Sequence, residues 1–192
     1  MRKDVYDCIV RRIREIIEAS PVEEDPLHAE NTLEWVRRLG GSVDSALEIA
    51  ALGHDIERAT PGKVRREEFP HYDDFKRAHS RRSAAILREI MEECGASRED
   101  VQDVVRMVER HEFGGDPRSD LLKDADALSF FQVNLPLYFR RNGPEEARRR
   151  FIWGYRRLSP ERRELVRSFD YDEELQNHVA RWLEEAERKV IP

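Results

Sequence analysis

The chain has 192 residues, 39% of them charged, with 34 Lys and Arg against 40 Asp and Glu and a net charge of −6. Such a length suits one domain, 1–192, with room for a real core, since folding at this size hides roughly 70% of the unfolded surface. Interleaved charges of both signs argue against a nucleic-acid stripe, no apolar run nears the ~18 residues of a membrane span, and Met1-Arg2-Lys3-Asp4 lacks a signal-peptide apolar region.

The expectation is therefore a cytoplasmic protein without a membrane or nucleic-acid partner, its oligomeric state open. Cys8 and Cys94 are far apart and form no CxxC, so neither a disulfide framework nor a Cys-ligated zinc is expected.

In chain order the pattern predicts helices almost throughout. Residues 3–19 carry Val5, Ile9, Ile13, Ile16 and Ile17 at helical spacing and end at Ser20-Pro21. A second helix runs over about 26–39, with Asp25 as N-cap, Pro26 at its first position and Gly40-Gly41 as its stop. A third starts after Asp44 and is apolar nearly all round from Ala46 to Gly53, the mark of a helix buried on every side.

A loop holding Pro61-Gly62 precedes a long helix over about 72–94, closed by Gly95. Ser97 and Asp100 have capping-box spacing and open the helix that ends at His111. Asp116-Pro117 opens the next, expected to run to Phe139 with a kink at Pro136. Asn142-Gly143-Pro144 is a break, and the remainder reads as two or three amphipathic helices with Ser159-Pro160 and Asp170 as start signals. No alternating strand is present. The fold class is all-α.

Four of the six histidines stand in one ordered arrangement with acids: His28, then His54-Asp55, then His79 and His111, then Asp126. Imidazole nitrogen with carboxylate oxygen suits Zn, Mn, Fe and Ni. Singly, each has an ordinary reading. His28 would be a core or boundary residue, and His54-Asp55 the end of a buried helix reaching the surface. Asp124 and Asp126 both sit among large apolar neighbours, and periodicity does not choose between them. His71 and His178 fit no pattern and read as surface residues. Arg148-Arg149-Arg150, Arg156-Arg157 and Arg162-Arg163 make the region after Gly143 locally basic, read as exposed helix arginines near acidic neighbours.

The ordered set resembles the HD-domain superfamily of metal-dependent phosphohydrolases, whose signature is H…HD…D, over about residues 20–140. The resemblance implies a helical bundle with a carboxyl-terminal helical extension from about 144. The family's last motif, Ala-Asp-x-Leu, matches Ala125-Asp126-Ala127-Leu128, which selects Asp126 and leaves Asp124 in reserve. Some members carry H…HD…H…H…D; His79 and His111 suit that pattern, which implies a second metal bridged through Asp55. The implied cofactor is one or two divalent ions among Mn, Fe, Zn, Co, Ni and Mg.

A divalent ion acidifies water and polarises a phosphoryl oxygen, and nearby cations then stabilise charge on the transferring group. Arg58 and Lys76 are the candidates for that role, with Arg82 beside His79 and the loop cations Lys63, Arg65 and Arg66 poised to close over a phosphate. Glu57 is the nearest proton-transfer candidate, although its spacing from Asp55 departs from members whose catalytic acid comes three residues after the aspartate. The GYP extension of cyclic-dinucleotide phosphodiesterases and the Asp-Arg-Leu-His-Asn segment of alarmone hydrolases are absent. What the resemblance implies is a metal-dependent phosphohydrolase acting through Asp55 and its metal on a nucleotide or other small phosphate ester. The alternatives are a di-iron HD-type oxygenase and a non-catalytic metal-binding regulatory module.

Overall fold

The computed structural model describes residues 1–188, and those residues are helical with no strand among them. Helix α1 (Lys3–Glu18) buries Val5, Ile9, Ile13 and Ile17 along one stripe. Helix α2 (Asp25–Gly40) ends where Gly41 turns to φ 68°, a left-handed value glycine adopts without a Cβ clash. Asp25 is not its cap as expected: it begins the helix, and its carboxylate takes the Ser20 hydroxyl (2.6 Å) and Arg58 (2.8 Å) instead. Helix α3 (Ser45–Gly53) is capped by Asp44, which accepts from Leu47 N at 3.0 Å. Gly53 lets α3 press on the next long helix; a Cβ there would lie 2.5 Å from Leu87 Cδ2.

Helix α4 (Tyr72–Glu93) packs along α5 (Arg98–Arg110), whose Ser97 cap accepts from Asp100 N. Helix α6 (Pro117–Ser129) starts at Asp116 and lies on α2. The expected kink at Pro136 takes another form. Residues 130–134 widen into a π turn in which Leu135 N–H reaches back to Phe130 O, and Pro136 then falls in the first turn of α7 (Leu135–Arg157). A proline lacks the N–H of a regular register, so the irregularity precedes it and costs least at a helix start. Trp35 and Asn31 of α2 fasten the wide turn through Gln132, at 2.8 and 3.2 Å.

Gly143, at φ 77°, ψ 172°, breaks α7 where Asn142-Gly143-Pro144 was expected to do so. After a short α8 (Arg163–Val166), α9 (Glu173–Arg188) packs on α7. Its start is marked by Asp172, which accepts from Leu175 N at 3.0 Å, and not by Asp170. His178 is half-buried against Phe139 and Trp182, not a bare surface residue. The cysteines also depart from expectation. Packing of α1 on α4 brings Cys8 and Cys94 to a Cα separation of 5.9 Å as a disulfide, across 86 residues of sequence. A pairing set by tertiary packing leaves no spacing motif to read.

Candidate metal centre

The helices deliver the ordered histidines and acids to one place. His28 comes from α2, His54 and Asp55 from the end of α3, His79 from α4, His111 from the end of α5, and Asp126 from α6. His28, His54, His79 and His111 are all buried, as is Asp126; Asp55 keeps 16% of its side chain exposed. Among the described residues two groups could hold a metal ion: His28, His54 and Asp55, and Asp55, His79, His111 and Glu112. Asp55 belongs to both.

Each imidazole is pinned through Nδ1, with Nε2 turned to the centre. His54 and His111 both follow the last residue of a helix, and each donates Nδ1–H to the carbonyl three residues back, Ala51 O at 2.8 Å and Val108 O at 2.7 Å. Those carbonyls belong to helix last turns, where regular intrahelical bonding runs out, and Val108 O also takes the His111 backbone N–H at 3.3 Å. His28 Nδ1 meets Ser129 Oγ at 2.8 Å. Because that hydroxyl donates to His28 O, it accepts from Nδ1–H, which leaves the Nε2 lone pair free. His79 Nδ1 lies 2.6 Å from Glu57 Oε1. Such partners behind the ligating nitrogen orient the ring and set its basicity.

Acceptors therefore crowd the centre. The Nε2 atoms of His28 and His54 are 3.2 Å apart, and Asp126 Oδ1 is 3.2 and 3.5 Å from them. Asp55 Oδ1 is 2.7 Å from His79 Nε2 and 3.7 Å from His54 and His111. His111 Nε2 is buried without a hydrogen-bond partner. Lone pairs packed this closely repel unless a cation or a proton lies among them. Burial opposes charge on His54, yet Asp55 and Asp126 outweigh it and raise its pKa to about 9. Burial alone would raise the Asp55 and Asp126 carboxyls. His54 and His79 beside the first, and Arg157 beside the second, hold both well below the usual range.

Of the expected charge-stabilising residues, Arg58 bridges Asp55 (3.2 Å) and Asp25 (2.8 Å) from the turn after α3, and Lys76 is ion-paired with Glu112. Glu57 stands behind His79 with Oε2 taken by Val64 N at 2.9 Å, an orienting position on the wall of the adjoining cavity. Asp124 and Asp126 separate cleanly. Asp124 accepts from Ser159 N at 3.0 Å, away from the histidines. Arg65 and Arg82 are exposed, as is His71.

Two residues were not anticipated as site members. Glu112 is 1% exposed and ion-paired with Lys76 and, at 2.7 Å, with Arg157. Arg157 also holds Asp126 Oδ2 at 2.6 Å and His111 O at 3.0 Å. An acid directly after a candidate ligand His was a readable hint for Glu112. Arg157 offered none, because its partners lie 31 to 46 residues away. The basic carboxyl-terminal stretch is thus not wholly surface.

A cavity of about 830 Å³ opens beside this centre, its wall formed in part by His79, Lys76, Arg58, Tyr72, Trp153 and Arg150. Lys63 and Arg66 of the loop also line it, whereas Arg65 does not. An opening of that size with apolar walls and convergent polar groups suits a small molecule.

The class that fold and centre define is an all-α protein with buried His, Asp and Glu groups that could hold a metal ion. The chain belongs to the family described as Domain of unknown function (DUF4202), which it matches over residues 12–180. No curated protein and no solved structure matches it.

Proposed function

We propose that this chain is a metal-dependent phosphohydrolase of the HD-domain type, acting on a nucleotide or other small phosphate ester. The supporting observation is the convergence of four imidazole Nε2 atoms on Asp55 and Asp126, each ring held from behind through Nδ1. One or two divalent ions among Mn, Fe, Zn, Co and Ni fit this imidazole and carboxylate donor set, whereas Mg, which prefers oxygen ligands, fits it poorly. Bound there, a divalent ion supplies acidified water and a polarised phosphoryl oxygen. Asp55, with an oxygen toward each histidine group, joins the two halves. Arg58 and Lys76 supply positive charge at the cavity wall, and Glu57 orients His79.

The cations around the cavity favour a phosphate over the neutral substrates that an HD-type di-iron oxygenase could also take. No helix among the described residues is long and apolar enough to cross a membrane. A cytoplasmic setting suits a small phosphorylated metabolite, while the Cys8–Cys94 bridge is a cross-link that reducing compartments disfavour.

The test is metal analysis together with a phosphate-ester screen in Mn, Co and Mg. Wild type is expected to carry metal and release phosphate. Asp55→Asn is expected to lose both, because it weakens both ligand groups at once. A fully loaded Asp55→Asn chain would refute the assignment. Two irons per chain with dioxygen consumption and no phosphate release would favour the oxygenase. A loaded wild type silent throughout the screen would favour the regulatory module.

A further inference from the structure

We propose that Arg150 forms an anion subsite beside the metal centre that takes a second acidic group of the substrate, so that the preferred ligand is a diphosphate-like small molecule. The inference rests on the phosphohydrolase reading for which group reacts, but its test is binding alone.

Arg150 differs from its neighbours on α7. Arg148 pairs with Glu145 and Glu185, Arg149 with Glu146, and Arg157 with Glu112 and Asp126. The Arg150 guanidinium instead lies among rings, 4.6 Å from the Trp153 centroid, 4.8 Å from Phe130 and 5.9 Å from Tyr72. Its Nη1 is sealed from solvent with no hydrogen-bond acceptor. Of the acids on the same cavity wall, Glu146 is held by Arg149 and by the Tyr138 hydroxyl at 3.2 Å, and Glu57 by His79 and Val64 N, while Glu67 is exposed. Ring faces attract a cation only weakly compared with what it loses on leaving water. A half-buried guanidinium with no ion pair among the described residues, feeling Glu146 only through space, on the wall of a cavity, is therefore set up to bind an incoming anion, and its fork suits phosphate oxygens.

The place of that anion follows from Trp153. Lys76 Nζ lies 5.6 Å from the same ring centroid, so Arg150 and Lys76 are no farther apart than those two lengths laid end to end. Lys76 is one turn before His79 on α4. A phosphoryl group at the centre and a second acidic group on Arg150 are thus neighbours within one small molecule. Lys63 and Arg66 on the cavity lining add positive charge, and Arg66 lies over the Tyr72 ring at 5.7 Å. A simple monoester would leave Arg150 unserved.

The experiment is calorimetric titration of the full-length, as-purified protein with imidodiphosphate and with orthophosphate, metal content being measured before and after. Wild type is expected to bind imidodiphosphate at least about tenfold tighter, a difference of about 1.4 kcal/mol. Arg150→Gln should erase that preference while leaving orthophosphate affinity and metal content unchanged. Arg150→Met keeps the stem packed on the rings and carries the same test should the Gln variant melt early. A preference retained in both variants, or absent in wild type, overturns the proposal. If wild type lacks the preference while Asp55→Asn still loses metal and hydrolysis, the subsite fails and the phosphohydrolase reading stands. Preference carried by Arg150 in a protein that hydrolyses no ester supports the subsite against that reading.

Discussion

The two sides of Asp55 are built differently. His28, His54 and Asp126 are held by neutral groups, Ser129 and the Ala51 carbonyl, and by one buried arginine, Arg157. On the other side His79 has carboxylates at both ring nitrogens, Glu57 at 2.6 Å and Asp55 at 2.7 Å, so both nitrogens donate and the ring carries a proton that a metal must displace. His79 also borders the cavity, and Glu112 next to it is paired with Lys76. The closed side is suited to retain an ion, and the side bordering the cavity to exchange ligands. In both, the nitrogen facing the centre is fixed by what stands behind it.

The strongest way to break this contrast is through the closed side. Asp126→Asn should remove the ion shared with His28 and His54 and strip Arg157 of half its anionic support. Losing one partner of a buried ion pair costs about 3–5 kcal/mol. Asp124→Asn serves as its control: it weakens the bond to Ser159 N, worth about 1 kcal/mol, and should leave metal content normal. Metal analysis and thermal melts of the pair decide the matter. Normal metal in Asp126→Asn with depleted metal in Asp124→Asn would shift the motif by two residues.

That choice also shows how far the sequence reaches. Caps at Asp44, Ser97 and Asp116 were readable because local hydrogen bonding sets them, and the break at Gly143 because a glycine before a proline takes the positive φ there. The six ordered His and Asp positions could be picked out because each sits on a helix or just past its end, at a spacing that survives as a pattern. Periodicity could not separate Asp124 from Asp126, since both are buried and differ only in which neighbour they meet. Arg157, Arg150 and the Cys8–Cys94 bridge were invisible for a common reason. Apart from Trp153, one turn from Arg150 on α7, their partners are brought in by packing between α7 and the other helices, or between α1 and α4, and no local signal precedes such contacts.

A smaller effect is expected from the side bordering the cavity. Changing His79 and His111 together to Ala should remove about one metal per chain and spare the ion of His28, His54, Asp55 and Asp126. An unchanged stoichiometry with raised KM would mean a single-ion centre in which these histidines meet the substrate instead. The two outcomes are told apart by metal counting before any kinetic measurement.

The smallest effect lies where the helices carrying the two sides are braced together, away from either ion. Asp116 caps α6, accepting from Arg118 N and Ser119 N at 3.1 Å each, and pairs with Arg106 of α5. Burial pushes its carboxyl up, but the Arg106 and Ser119 hydrogen bonds prevail and hold it below the usual carboxylate range. A depressed carboxyl stabilises the fold above its unfolded pKa of about 3.9, and that stability fades as pH falls through the lower folded value. Asp116→Ala should therefore cost about 1 kcal/mol at neutral pH, a drop of about 2–4 °C in melting temperature. The gap from wild type should shrink below about pH 4, as the wild-type carboxyl protonates and its advantage goes. Metal content at neutral pH should not change. Loss of metal in Asp116→Ala would mean that the spacing of α5 and α6 is set by this brace and not by the packed helices themselves.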